Sequence, residues 1–121
     1  MLSANRTLTQ FDNIRIDAGV AKDNVDRLAR MFRALSNPNR LRLFLNLVEE
    51  SKLDLARGRV HDCFLAKLLG GLDLGAPTIS HHVKELADAG LIRTQREGKQ
   101  LICSVDPDGL AQLRAALTIP R

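Results

Sequence analysis

The chain has no tryptophan and no tyrosine, and only four phenylalanines among its 121 residues. Proteins that bind single strands stack bases on aromatic platforms, so this poverty argues against that class. Cysteine is almost as scarce. Cys63 and Cys103 lie 40 positions apart, which is no disulfide framework, and a reducing, cytoplasmic setting is expected. The three histidines, two of them adjacent, come with no nucleophile and base at a recognisable spacing. An enzyme is therefore not expected. No apolar run is long enough to span a membrane. The N-terminus lacks a basic start followed by an apolar block, so no signal peptide is expected. Internal repeats and low-complexity tracts are also missing.

What is present suits one compact core, since 45% of the residues are hydrophobic. Lys plus Arg number 18 against 14 for Asp plus Glu, a net charge of +4 with a pI near 9.6. That balance fits a polyanionic partner without demanding one.

Residues 1–19 are polar and mixed, with Phe11, Ile14 and Ile16 among charges. They read as a flexible arm. Val25, Leu28, Phe32 and Leu35 then follow at helical steps. Asn37-Pro38 is a cap followed by proline at the first helical position, and the next helix is expected to reach about Glu50. Ser51 to Arg59 reads as irregular. Asp62 is placed to cap a short helix carrying Phe64, Leu65, Leu68 and Leu69, which stops at Gly70-Gly71. Asp106-Pro107 repeats the cap-plus-proline signal ahead of Leu110, Leu113 and Leu117.

The most informative stretch is Ala76 to Ile92. With about 100° per residue, Ile79, Val83, Leu86 and Ala87 share one side of a helix. Pro77, His81 and Lys84 fall opposite, flanked by Thr78 and Ser80 near the helix start. Such a helix can dock by its back and offer a short polar, cationic front to a DNA major groove. Gly90 supplies a helix stop. Leu91–Arg96 and Gln100–Val105 read as two strands around Glu97-Gly98-Lys99, a hairpin signal. Arg93, Arg96 and Lys99 charge that hairpin where it would meet phosphates. Helix, glycine and basic hairpin in this order describe a winged helix-turn-helix. The expected fold is mainly α with a small β-hairpin, in the order α-α-(β)-α-α-β-β-α. Residues 20–121 form its DNA-binding and dimerisation domain.

Three motifs resemble those of the ArsR/SmtB-type regulators. Leu35-Ser36-Asn37-Pro38-Asn39-Arg40-Leu41-Arg42-Leu43 is similar to their opening helix-turn motif. Pro77 to Leu86 resembles their recognition helix, and Ala89–Ile92 with Arg96–Lys99 resembles their wing. The resemblance spans roughly residues 25–117. It implies a homodimeric repressor that binds a pseudo-palindromic operator in double-stranded DNA and is released by a metal ion or another chemical signal. Two features depart from the pattern. The Ser51–Arg59 link is longer than usual, and Gly75-Ala76 stands where a Ser-Gln pair is customary.

From these readings, Thr78, Ser80, His81 and Lys84 are the candidate groove contacts, and Arg93, Arg96 and Lys99 the candidate phosphate contacts. His82 lies at the edge of the apolar face and is expected to pack beside the preceding helix. Val25, Leu28 and Phe32, with Leu110, Leu113 and Leu117, are expected at the dimer interface. The resemblance also aligns His61 and Cys63 with a thiolate metal site. Imidazole plus thiolate would suit a thiophilic or divalent ion, but supplies two donors where three or four are needed. No cofactor is otherwise expected. A winged-helix module that binds protein instead of DNA is the alternative, and a salt-dependent shift of duplex DNA separates the two.

Overall fold

The computed structural model describes residues 18–118. Helix α1 spans Ala18–Leu35, and α2 spans Pro38–Ala56. Strand β1, Cys63–Phe64, leads into a single 3-10 turn, Leu65–Leu68. Helix α3 is Ala76–Asp88. Strands β2, Ile92–Glu97, and β3, Gln100–Val105, form the hairpin, and α4 closes the fold at Pro107–Leu117. Residues 1–17 of the expected arm lie outside the described residues, while Ala18 and Gly19 stand in α1.

Local chemistry explains the helix starts. The Asn37 side chain accepts from the backbone N–H groups of Asn39 and Arg40 at 2.9 and 3.1 Å. Asp106 likewise accepts from Asp108 and Gly109. Each cap satisfies donors that the helix leaves open and contributes about 1 kcal/mol.

Helix α2 continues to Ala56, beyond the expected stop near Glu50. Ser51 is fully buried and returns its hydroxyl to the Leu47 carbonyl at 2.6 Å, so a polar residue continues the helix facing inward. Leu55, one turn on, packs against the core. Gly58, at φ 73°, then turns the chain. A second correction concerns Asp62, which caps no helix. Cys63 and Phe64 pair in a ladder with β3, and the 3-10 turn at Leu65–Leu68 follows Phe64 without a side-chain cap.

The three strands lie in the order β1-β3-β2, all antiparallel. Ile92 stands opposite Val105, Thr94 opposite Cys103, and Cys103 opposite Cys63. Met31, Leu43, Phe44, Leu47, Leu68, Val83, Leu86, Leu91, Cys103 and Val105 make one core beneath this sheet and between the helices. Gly90, at φ 79°, ends α3, and Leu91 N–H reaches back to the Leu86 carbonyl at 3.1 Å. The start of α4 rests on that turn. A methyl group at Gly109 would run into the Gly90 carbonyl, so glycine is required there for close approach.

Candidate nucleic-acid interface

Helix α3 divides cleanly. His82, Val83 and Leu86 are buried, and Ile79 and Ala87 half-buried. Pro77, Thr78, Ser80, His81 and Lys84 are exposed. The polar front expected from periodicity is thus a continuous outer face running from the N-terminal turn. No side chain caps that N-terminus, because Gly75 occupies the cap position. Its open N–H groups and the positive end of the helix dipole therefore face outward with Thr78 and Ser80.

Two of the front residues hold partners on their own helix. Lys84 Nζ donates to Asp88 Oδ2 at 2.8 Å, and this bond raises the lysine pKa. His81 Nε2 lies 3.6 Å from Glu85 Oε1. Both are exposed i,i+4 contacts of the kind worth only tenths of a kcal/mol, so either side chain can exchange its partner for a phosphate or a base.

His82 behaves differently. It is 6% exposed, and among the described residues its Nδ1 has no hydrogen-bond partner. Burial lowers its pKa, with Arg40 and His81 acting in the same direction, so the ring is held neutral against the helix scaffold.

In the hairpin, Gly98 at φ 63° opens a two-residue turn and Lys99 sits at its tip. Positive φ at the first turn residue matches the twist of paired strands. Arg93 and Arg96 are three residues apart and so lie on opposite faces of β2. Arg96 shares the face of Ile92 and Thr94. Arg93 stands on the other face with its guanidinium 3.5 Å from Asp106 Oδ1. Among the described residues, Arg96 and Lys99 form no ion pair.

Two supports hold the helices behind this face. Asn46 Nδ2 donates to the Leu68 carbonyl at 2.8 Å and to that of Gly70 at 3.4 Å, fastening α2 to the segment that leads into α3. The visible signal was a lone amide between Leu45 and Leu47 in an apolar helix. Arg40 Nε donates to the Ala34 carbonyl at 2.7 Å, bonding the start of α2 to the end of α1.

The other candidate residues are dispersed. His61 Nδ1 and Asp54 Oδ2 are 2.8 Å apart, and Arg59 approaches the same carboxylate at 3.4 Å. That histidine bond is the largest cause of a lowered Asp54 pKa. Cys63 is buried, facing Cys103, and burial raises its pKa. Among the described residues, no group of three or more His, Cys, Asp or Glu side chains converges as a metal would require. His61 and Cys63 therefore do not by themselves fit a metal centre.

Of the six residues expected at a dimer interface, Val25, Phe32 and Leu117 are exposed. Leu28 and Leu110 are half-buried against this chain's own core, and Leu113 is buried within it. No helix among the described residues is long and apolar enough to cross a membrane.

A scaffold-buried helix with a free polar front, followed by a charged two-stranded wing, defines a winged helix-turn-helix protein. No family model matches the chain. It is 28% identical over 99 residues to a cadmium resistance transcriptional regulatory protein CadC homolog of Staphylococcus aureus, covering 82% of this chain and 74% of that one. The crystal structure of an ArsR family transcriptional regulator superposes with a TM-score of 0.59 at 25% identity, over 76% of this chain and 84% of the other. The homodimeric winged helix-turn-helix domain of a possible ArsR-family regulator from Mycobacterium bovis has the same fold, with a TM-score of 0.57 at 22% identity over 84% and 82% of the two chains. The chain is thus a winged helix-turn-helix transcriptional regulator similar to those of the ArsR family.

Proposed function

We propose that this regulator is a repressor that binds a pseudo-palindromic operator as a homodimer. In this reading α3 enters the major groove, where Ser80 and His81 read base edges. Thr78 and Lys84 grip the adjoining backbone. Arg96 and Lys99 hold phosphates through the wing, and Arg93 contributes less because Asp106 already shares its charge. The observation that carries the reading is the division of α3 into a buried apolar back and an exposed polar front. The protein is not an enzyme in this account, and it works in the cytoplasm.

Dimerisation follows from apolar surface that one chain leaves uncovered. Val25 and Phe32 on α1 and Leu117 on α4 are exposed, and the half-buried Leu28 and Leu110 lie on the same two helices. Covering such residues with a second copy is the usual solution for an obligate dimer. The M. bovis domain of the same fold is a homodimer. Two recognition helices related by a two-fold axis would meet half-sites about one helical turn, roughly 34 Å, apart.

The S. aureus relative is named for cadmium resistance, but a metal signal in this chain would need donors beyond His61 and Cys63. His61 and Cys63 would be the donors this chain brings, completed from the N-terminal arm or a partner subunit. The test is a gel shift with duplex DNA across a salt series, run beside a measurement of solution mass. A dimer whose affinity falls steeply with salt supports the reading. A monomer at micromolar concentration, or salt-independent binding, contradicts it.

A further inference from the structure

Cys63 and Cys103 are partners in the β1–β3 ladder, both free and both facing the core. Directly opposed residues of antiparallel strands have Cα atoms about 4.5 or 5.5 Å apart and side chains on the same face. A disulfide needs a Cα separation of about 4.4–6.8 Å, so this pair can be bridged with little backbone movement. We propose that Cys63 and Cys103 form an oxidation site that a hydroperoxide closes to an intrachain disulfide, locking the helix-turn-helix to the wing.

The topology distinguishes the two sulfurs. β1 is a two-residue strand at the sheet edge, whereas β3 is central. Local opening of a short edge strand costs far less than unfolding the sheet. Cys63 is thus the thiol that meets oxidant first. Its thiolate attacks one peroxide oxygen, the O–O bond breaks, and an alcohol leaves after taking up a proton, with Cys63 now a sulfenic acid. The Cys103 sulfur then attacks the Cys63 sulfur. The S–O bond breaks, the S–S bond forms, and water leaves carrying the Cys103 proton. The two electrons lost by the dithiol have passed to the peroxide. Both thiols are buried, so oxidant reaches them only on local opening and closure needs sustained exposure.

The bond would enclose all of α3 and β2 in one loop, which is the DNA-binding unit of the reading above. Cross-linking a loop of this length constrains the unfolded chain strongly. The oxidised protein should melt at least about 5 °C higher than the reduced one, and reductant should reverse the shift. Because neither cysteine lies on the front of α3, duplex affinity should stay within about threefold; this last expectation rests on the operator-binding reading.

The experiment treats the reduced full chain with hydrogen peroxide, then counts thiols under denaturing conditions and maps non-reduced peptides. The expected result is loss of both thiols, loss of the mass of two hydrogens, a Cys63–Cys103 peptide and the raised melting point. Cys63→Ser and Cys103→Ser should each lose the shift, and the wild-type map carries the test if a variant fails to fold. Cross-linked dimers, sulfinic or sulfonic acid at one cysteine with the other free, or two thiols surviving excess peroxide would each overturn the proposal. So would a lowered melting point. All these readouts are made without DNA, so they judge the disulfide whether or not the operator reading holds.

Discussion

The front of α3 and the segment joining α2 to β1 both carry histidine, acid and base, and they use them in opposite ways. On α3, among the described residues, Lys84 bonds to Asp88 and His81 lies beside Glu85, both pairs along the helix itself on the solvent side. Between α2 and β1, Asp54 is approached across the turn by both His61 and Arg59. The first arrangement leaves donors that a partner can capture at small cost. The second holds a connection in shape and has little left to offer a ligand. Residue types and spacing alone did not separate them, for His61-Asp62-Cys63 looks at least as chemical as Ser80-His81-His82.

The contrast can be broken most forcefully from behind. Leu86→Ala empties a fully buried position on the back of α3. It should cost about 3 kcal/mol in urea unfolding. Ser80→Ala, on the front, should leave stability unchanged within about 0.5 kcal/mol and shift base preference in a binding selection instead. If the two variants had equal stability, α3 would not be docked as described.

Next in size are the proposed phosphate contacts. Arg96→Ala should weaken all duplex sequences alike and reduce the salt slope by roughly one unit. Lys84→Ala should do the same less strongly, because Asp88 already holds that lysine in the free protein.

Acid should act on both regions, with different signatures. His82 has a folded pKa below its ordinary 6.5. The unfolded chain therefore binds the proton first, and stability falls as pH drops below about 6.5 toward the folded pKa. His82→Leu should flatten that part of a melting-temperature profile. Asp54 has a folded pKa below 3.8. Its contribution is present above the ordinary carboxylate range and is lost as pH falls through the folded value. Asp54→Asn should therefore alter the profile only at the acid end.

The smallest effect is expected from metals. Zinc, nickel or cobalt should change duplex affinity by less than about threefold, which is below the usual range of allosteric coupling. A stoichiometric release of DNA by any of them, absent in Cys63→Ser, would show that the donors at His61 and Cys63 are completed from elsewhere.

Much of this architecture could be read from residue order, and the reasons are local. Asn37-Pro38 and Asp106-Pro107 start helices by chemistry that lies within four residues. Gly90 and Gly98 mark turns by a conformation other residues avoid. The α3 stripe is long enough for its period to show. Where a neighbouring element decides, the reading fails. Two residues of β1 have no period of their own; the strand is expected only as the (β) of the winged-helix order, and its register with β3 comes from the fold. The extension of α2 depends on Ser51 bonding its own backbone inside the core. The exception is His82, at the border of the wheel, whose expected packing beside the preceding helix matches its burial. The Asp54–His61 bond crosses a turn that was expected to be irregular chain.

The exposed front of α3 and the wing are proposed to bind duplex DNA together as one interface. Its most direct test is the affinity of one duplex operator, measured across a salt series for wild type and Arg96→Ala, and across operator variants for Ser80→Ala. Arg96→Ala should show a shallower salt slope with unchanged base preference, and Ser80→Ala an altered base preference with an unchanged slope. Wild-type indifference to duplex DNA, or the same profile from all three proteins, would contradict it.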